Sequence, residues 1–204
     1  MPADKPRTIL QEQQETKPEI EGFITEYLDA DLGKTAFDFV AWLRDKNLPL
    51  KWGRYINTWS AVYKGKPICS VRIDVWQTMG HHRGYYDDRL GSPPCLVITP
   101  RLANIEAYKE TIMNEGLQDY IWDNANSCVY SERSPSYGLK KAPGCSPGKP
   151  CAPGKDITVL GRVIKHNCCC FVMSIWNPDE VAMSCVKRLL ELEKQAREVS
   201  KGKT

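Results

Sequence analysis

The chain has 204 residues, of which 42% are hydrophobic and 26% charged, and its formal net charge is +3. This apolar content is typical of a globular protein, which excludes a disordered chain, and the length suits one domain with a sizeable core. The small net charge is spread over scattered basic residues, which argues against a dedicated nucleic-acid binder. No run approaches the roughly 18 apolar residues of a membrane-spanning helix. We therefore expect neither a nucleic-acid nor a membrane partner.

Residues 1–17 are rich in Gln, Glu and Lys and contain little apolar surface. They predict a flexible tail that is dispensable for folding, since ordering it would cost conformational entropy with little burial in return. The segment also lacks the apolar stretch of a secretory signal. We therefore expect a cytoplasmic location, where the nine cysteines are thiols rather than disulfides.

The first periodic segment places Ile20, Ile24 and Tyr27 on one face of a short helix. Thr35 resembles the N-cap of a second helix, which Pro49 then ends because proline disfavours the helical conformation of the residue before it.

Alternation with a period of two begins near Trp59 and predicts a β-hairpin. Lys64 and Gly65 form its turn, and the return strand places Cys69 and Val71 on one face and Arg72 on the other. A polar loop over 77–94 follows, and loops of this length are typically functional or disordered.

The second half predicts further strands at 95–99, 127–130, 157–164 and 170–176. Asn104 can cap a helix that Gly116 ends in the left-handed conformation, and 117–122 predicts another helical turn. The last helix has the clearest start, with Asn177 as N-cap and Pro178 in its first position.

Strands and helices in this order favour an α+β fold: a mostly antiparallel sheet of about five to six strands with three to four helices packed on one side. We expect one domain over 18–196 and a frayed tail at 197–204. Inside that domain, residues 134–155 contain five prolines and four glycines, which predicts a surface loop.

Aromatic side chains are concentrated around the hairpin and the loop that follows it. Such clusters on curved sheets often line small-molecule sites, although core packing explains some of them equally well. The candidate ligand-binding residues are Trp59, Tyr63, Trp76, Tyr85 and Tyr86.

Cysteines in the second half offer an alternative function. Thiolates are usual ligands of structural zinc, so Cys128, Cys145, Cys151 and Cys168 are candidate metal ligands, with His166 as a substitute for Cys128. A zinc-stabilised or redox-active module that binds a protein partner is the resulting hypothesis. No C-x-x-C pair is present, however, and the thiols can equally be buried apolar groups. Cys69, Cys95 and Cys185 fall on predicted core faces.

The loop from His81 to Asp88 combines imidazoles with carboxylates, which can bind a divalent ion or move protons. A hydrolase using this loop is a weaker alternative, because adjacent histidines in an extended segment point in opposite directions and paired aspartates often only form turns. No nucleophile elbow, phosphate-binding loop or zinc-protease motif occurs. Whether the chain is an enzyme stays open.

Three segments carry a loose family resemblance: Trp52 with Gly53, the hairpin residues 63–69, and the closing helix at 186–192. Over roughly 35–195 the layout resembles small bacterial α+β domains related to the GyrI-like ligand-binding group. The resemblance implies a domain that binds small molecules and carries over no catalytic residue. A cytoplasmic small-molecule-binding protein is therefore the favoured hypothesis, with ligand and oligomeric state open.

Overall fold

A computed structural model of the chain describes residues 8–53, 55–75, 93–125, 155–167 and 173–199. Within these ranges the helices are α1 (Ile9–Thr16), α2 (Ile20–Tyr27), α3 (Ala30–Asp45), α4 (Lys109–Asn114), α5 (Leu117–Asp123) and α6 (Glu180–Val199), with a 3-10 helix at Ile105–Tyr108. The strands are β1 (Leu50–Trp52), β2 (Thr58–Tyr63), β3 (Lys66–Asp74), β4 (Cys95–Pro100), β5 (Lys155–Val159), β6 (Arg162–Asn167) and β7 (Ile175–Trp176).

Five of these strands form one antiparallel sheet in the order β1-β2-β3-β4-β7, while β5 and β6 form a separate two-stranded ribbon. The predicted α+β class with a mostly antiparallel sheet is thus confirmed, although the described residues contain six α-helices rather than three to four. Helices α2 and α6 pack on β3, and α3 packs on β1. Helices α4 and α5 pack against each other and reach α6 through the 3-10 helix.

Helices α2, α3 and α6 pack on one face of the sheet, which we call the core face. Directly paired residues on neighbouring strands point to the same side, so the register defines rows that cross the sheet. One such row runs through apolar side chains that all belong to the main core or pack against it: Trp52, Trp59, Val71, Ile98 and Ile175. Burial of this row against the helices explains why the strands alternate in polarity.

The predicted hairpin is confirmed, with β2 and β3 joined at Lys64 and Gly65, both of which have positive φ. Its register contains one irregularity: Ala61 pairs with Cys69, whereas the next residue, Val62, pairs with Pro67. Ile68 is therefore an extra residue on β3, a β-bulge. Both Ile68 and Cys69 are fully buried in the core as a result.

Two helix starts differ from the sequence expectation. Helix α3 begins earlier than Thr35, because the Asp29 carboxylate accepts a hydrogen bond from the Leu32 N–H at 2.8 Å and caps it. At α6 the cap is Asp179, whose carboxylate accepts from the Ala182 N–H at 2.7 Å. Asn177 instead accepts a hydrogen bond from the Leu96 N–H of β4 at 2.9 Å, which ties the chain to the sheet just before the helix.

The expected single strand at 157–164 is wrong, because the chain turns in its middle. Leu160 and Gly161, both at positive φ, join β5 to β6 in a ribbon. The turn is held against the helical part of the fold: the Leu160 N–H donates to the Glu106 carboxylate at 3.1 Å, and the Trp122 indole donates to the Val159 carbonyl at 3.0 Å. The second expected strand, at 170–176, is described from Met173 and contains β7.

Part of the expected flexible tail at 1–17 is helical, and its being dispensable for folding stays a prediction. Helix α1 occupies Ile9–Thr16, with a capping box formed by Thr8 and Gln11. Gln13 on this helix is buried and hydrogen-bonded to Asn57. The expected strand at 127–130 and loop at 134–155 lie almost wholly outside the described residues. No helix in the described ranges has the length and apolar character needed to cross a membrane.

Candidate functional site

The face of the sheet opposite the core carries most of its polar strand residues, and we call it the polar face. The register places side chains of five strands on it: Lys51, Thr58, Ser60, Ser70, Arg72, Asp74, Cys95, Val97, Thr99 and Trp176. Cys95 and Val97 form a small apolar cluster separate from the main core. The sheet therefore has one apolar face and one mixed face.

Asp74 is the most deeply buried charged group on the polar face, with an exposed fraction of 1%. Its carboxylate lies 3.1 Å from the guanidinium of Arg72, two positions earlier on the same strand. Residues i and i+2 of a strand point to the same side, which is why this pair can form. A buried carboxylate needs such a partner, because an isolated one would cost several kcal/mol of desolvation free energy.

Arg72 also reaches an aromatic ring at the edge of the sheet. Its row continues through Val97 on β4 to Trp176 on β7, and the guanidinium carbon lies 5.6 Å from the centre of the Trp176 ring. A guanidinium at this distance from an indole face is attracted by the π system. Val97 lies between the two in the row and is buried. The row therefore presents a guanidinium and an indole, and the Asp74 carboxylate lies beside the guanidinium in the neighbouring row.

Hydroxyl groups occupy the next row of the polar face. Ser70 pairs with Thr99 across β3 and β4, and the Thr99 hydroxyl lies 2.9 Å from that of Ser174. Arg101, just after β4, brings its guanidinium to 3.5 Å from the Ser70 hydroxyl. These groups add hydrogen-bonding capacity beside Arg72.

Among the described residues of the polar face, exposure is uneven, and Lys51 at the β1 edge is exposed. Ser70, Thr58, Cys95 and Val97 are buried, but the Arg72 side chain is 32% exposed and Trp176 is 39% exposed. An exposed Trp beside a partly exposed Arg, with buried neighbours, is the composition that binding hot spots favour. Sequence reasoning placed Arg72 on the polar face of its strand but did not single out Trp176, since the pairing of β4 with β7 joins residues far apart in sequence.

The sequence-predicted ligand residues are only partly within the described ranges. Trp59 lies on the core face with 2% exposure, its indole N–H donates to the Pro18 carbonyl at 2.7 Å, and Phe23 packs on it edge-to-face. The structure therefore places this ring in the core. Trp76, Tyr85 and Tyr86 lie outside the described residues.

Tyr63 lies at the surface, where it links the hairpin to α6. Its hydroxyl donates to the Glu198 carboxylate at 2.6 Å, and this hydrogen bond raises the pKa of the phenol above its usual value. The ammonium groups of Lys64 and Lys194 lie 5.1 and 5.3 Å from its ring. These contacts attach α6 to the hairpin, which gives Tyr63 a structural role.

The proposed zinc ligands Cys128, Cys145, Cys151 and Cys168 also lie outside the described residues, as does the loop from His81 to Asp88. In the part of the chain that the structure describes, no three or more His, Cys, Asp or Glu side chains are grouped as metal ligands would be. The zinc, redox and hydrolase hypotheses stay predictions.

The three described cysteines are free thiols; Cys69 is buried on the core face as expected, whereas Cys95 is buried on the polar face beside Val97. Cys185 is half-buried on α6. Burial raises the pKa of the Cys69 thiol to about 12, so this group is a neutral apolar side chain at physiological pH.

A second buried carboxylate, Glu193, lies on α6 away from the polar face. Glu193 on α6 has 0% exposure and accepts four hydrogen bonds: from the Asn104 N–H at 3.0 Å and amide at 2.8 Å, from the Tyr108 hydroxyl at 2.9 Å, and from the Arg197 guanidinium at 2.7 Å. Burial and the Glu193 charge raise the pKa of Tyr108 far above its usual value. Both carboxylate oxygens are occupied by protein donors, so this cluster is structural.

An acidic groove between the starts of α3 and α6 encloses about 310 Å³ and is lined by Asp29, Asp31 and Asp179. Two of its carboxylates act as the helix caps described above. Helix capping accounts for their positions, because a carboxylate at a helix N-terminus satisfies an orphan N–H and complements the helix dipole.

No family model, no curated protein and no solved structure matches this chain. The resemblance to the GyrI-like group therefore stays a prediction.

Proposed function

We propose that this chain is a small-molecule-binding protein whose ligand contacts the polar face of the sheet at Arg72 and Trp176. The observation that carries the proposal is a contact: among the described residues of this face, a partly exposed guanidinium lies against a partly exposed indole and pairs with a buried carboxylate. Small-molecule sites combine an aromatic surface with a few fixed polar groups, and this arrangement supplies both.

The buried partners support the proposal because they fix the geometry. Asp74 hydrogen-bonds the Arg72 guanidinium, and Val97, the cross-strand neighbour of Arg72, is buried, so the exposed part of Arg72 loses little freedom when a ligand binds. A side chain that is already ordered costs less entropy to immobilise, which favours binding. The resemblance to a ligand-binding group is in keeping with this function.

The test is a screen of small aromatic compounds for binding, with melting temperature and ligand-observed NMR as readouts. Trp176→Ala removes the ring while leaving the backbone pairing of β7 with β4 intact. Phe37→Ala is the matched control, because Phe37 is an aromatic residue of nearly equal exposure, 40%, on α3. We expect compounds that bind the unaltered protein to bind Phe37→Ala equally and Trp176→Ala at least about tenfold more weakly.

Two results would contradict the proposal. One is a screen in which no aromatic compound binds. The other is a ligand whose affinity for Trp176→Ala equals its affinity for the unaltered protein, since that ligand would bind elsewhere.

A further inference from the structure

The charges on the polar face point to a more specific ligand. Among the described residues, three cationic side chains reach this face, Lys51, Arg72 and Arg101, against one carboxylate, Asp74. Asp74 is buried beneath the surface, whereas Arg72 is partly exposed and Lys51 is exposed. Among the described residues, the accessible charges of the face, on Arg72 and Lys51, are therefore positive.

Arg72 has hydrogen-bonding capacity beyond its pairing with Asp74. A guanidinium carries five N–H donors in a planar fork, and the contact with Asp74 is made by one of its terminal nitrogens. A ligand carboxylate is the group that matches such a fork, since it can accept two parallel hydrogen bonds from it.

The aromatic surface lies directly beside this donor. Because the guanidinium carbon is 5.6 Å from the Trp176 ring centre, a ligand that reaches both must be compact, with its charged group close to its ring. We infer that the polar face binds a small aromatic carboxylate, whose ring packs on Trp176 and whose carboxylate pairs with Arg72. This inference rests on the proposed function.

Other ligand charges fit the face less well. A cation would be repelled by Arg72, which already lies against the indole ring. A neutral aromatic compound would cover the guanidinium without compensating its charge, and covering an ion without a partner costs free energy.

The experiment uses pairs of probes that differ only in charge: benzoate with benzamide, and 1-naphthoate with 1-naphthamide. Affinities are measured with the full chain by NMR titration or calorimetry at low and high salt. We expect each acid to bind at least about tenfold more tightly than its amide, because a hydrogen-bonded ion pair exceeds a neutral contact by that factor. Added salt should reduce the preference.

Arg72→Gln should bring the acid-to-amide ratio close to one, and Arg72→Lys should keep part of the preference because it keeps the charge. Arg44→Gln is the control, since Arg44 is an exposed cation on α3, away from this face. The comparison of acid with amide on the unaltered protein needs no variant, so it decides the question even if Arg72→Gln fails to fold.

Equal binding of acid and amide, with both lost in Trp176→Ala, would overturn the inference while leaving the proposed function in place. Binding of neither acid nor amide up to their solubility limits would overturn the inference, whereas the proposed function is overturned only if the wider screen of aromatic compounds also finds no ligand.

Discussion

Gln13 and Asn57 exchange two hydrogen bonds although 44 positions separate them in the sequence. The Gln13 amide donates to the Asn57 side-chain oxygen at 2.6 Å, and the Asn57 backbone N–H donates to the Gln13 side-chain oxygen at 2.8 Å. Both residues are buried, and Asn57 has a positive φ of 51°. One glutamine thus attaches helix α1 to the turn that precedes β2.

Replacement of Gln13 by Ala should lower the free energy of unfolding by about 1–3 kcal/mol, because it leaves the buried backbone N–H of Asn57 without a partner. Urea denaturation measures the change. Gln14→Ala is the control, since Gln14 is exposed on the same helix and should have almost no effect. Equal stability of the two variants would show that α1 does not contribute to the fold, and the sequence expectation of a dispensable tail would then hold.

Replacement of Glu193 by Gln should destabilise the protein by about 2–4 kcal/mol. The carboxylate accepts from four donors, whereas an amide would turn two N–H donors toward the Asn104 amide and the Arg197 guanidinium, which also donate. Glu191→Gln, at a surface position on the same helix, should cost less than about 1 kcal/mol. Denaturant titrations of both variants check the difference, and a cost at Glu193 no larger than at Glu191 would contradict a structural role for the cluster.

Asn177 and Leu96 exchange two hydrogen bonds, as paired strand residues do. The Asn177 N–H donates to the Leu96 carbonyl, and the Leu96 N–H donates to the side-chain oxygen of Asn177. Asn177 also has a positive φ of 44°. Asn177→Gly should lose only the side-chain hydrogen bond, about 1 kcal/mol, whereas Asn177→Ala should cost about 1 kcal/mol more because alanine is strained at this φ. Urea denaturation separates the two variants. Equal destabilisation would mean that the backbone at 177 relaxes after substitution.

Stability should fall as the pH rises from about 9 toward 12. Burial raises the pKa of the Cys69 thiol from 9.0 to about 12. Between these values the unfolded chain loses this proton and the folded chain keeps it, so rising pH favours unfolding, and the contribution is present in full below pH 9. Unfolding free energies of the unaltered protein and Cys69→Ala, measured from pH 8 to 11, test this. The variant should show the shallower decline, and parallel curves would contradict the assignment to Cys69.

The sequence predicted the β2–β3 hairpin because its signals are local: alternation of polarity and a Lys-Gly turn. The β5–β6 turn was missed because Leu160 adopts a positive φ of 54° that aliphatic residues rarely occupy, so alternation on both sides looked like one strand. Helix α1 was missed because its only buried residue is a glutamine whose partner is 44 positions away.

The candidate site was predicted only in part for a similar reason. The alternation of polarity within β3 predicts that Arg72 and Asp74 lie on the side opposite the core, and the register confirms it. That Trp176 lies beside them depends on the pairing of β4 with β7, which no local pattern specifies. Trp59 was a candidate because of its residue type, and its cross-strand register decides instead that it lies in the core.

The bulge at Ile68 resolves a conflict between the hairpin turn and the sheet. If the pairing of Val62 with Pro67 continued without it, Trp59 would pair with Ser70 instead of Val71. The apolar side of β2 would then share a face with the polar side of β3, out of phase along the whole hairpin. A hairpin without the extra residue would offer the helices a face of mixed polarity, so the continuity of the apolar surface on which they pack depends on this one residue.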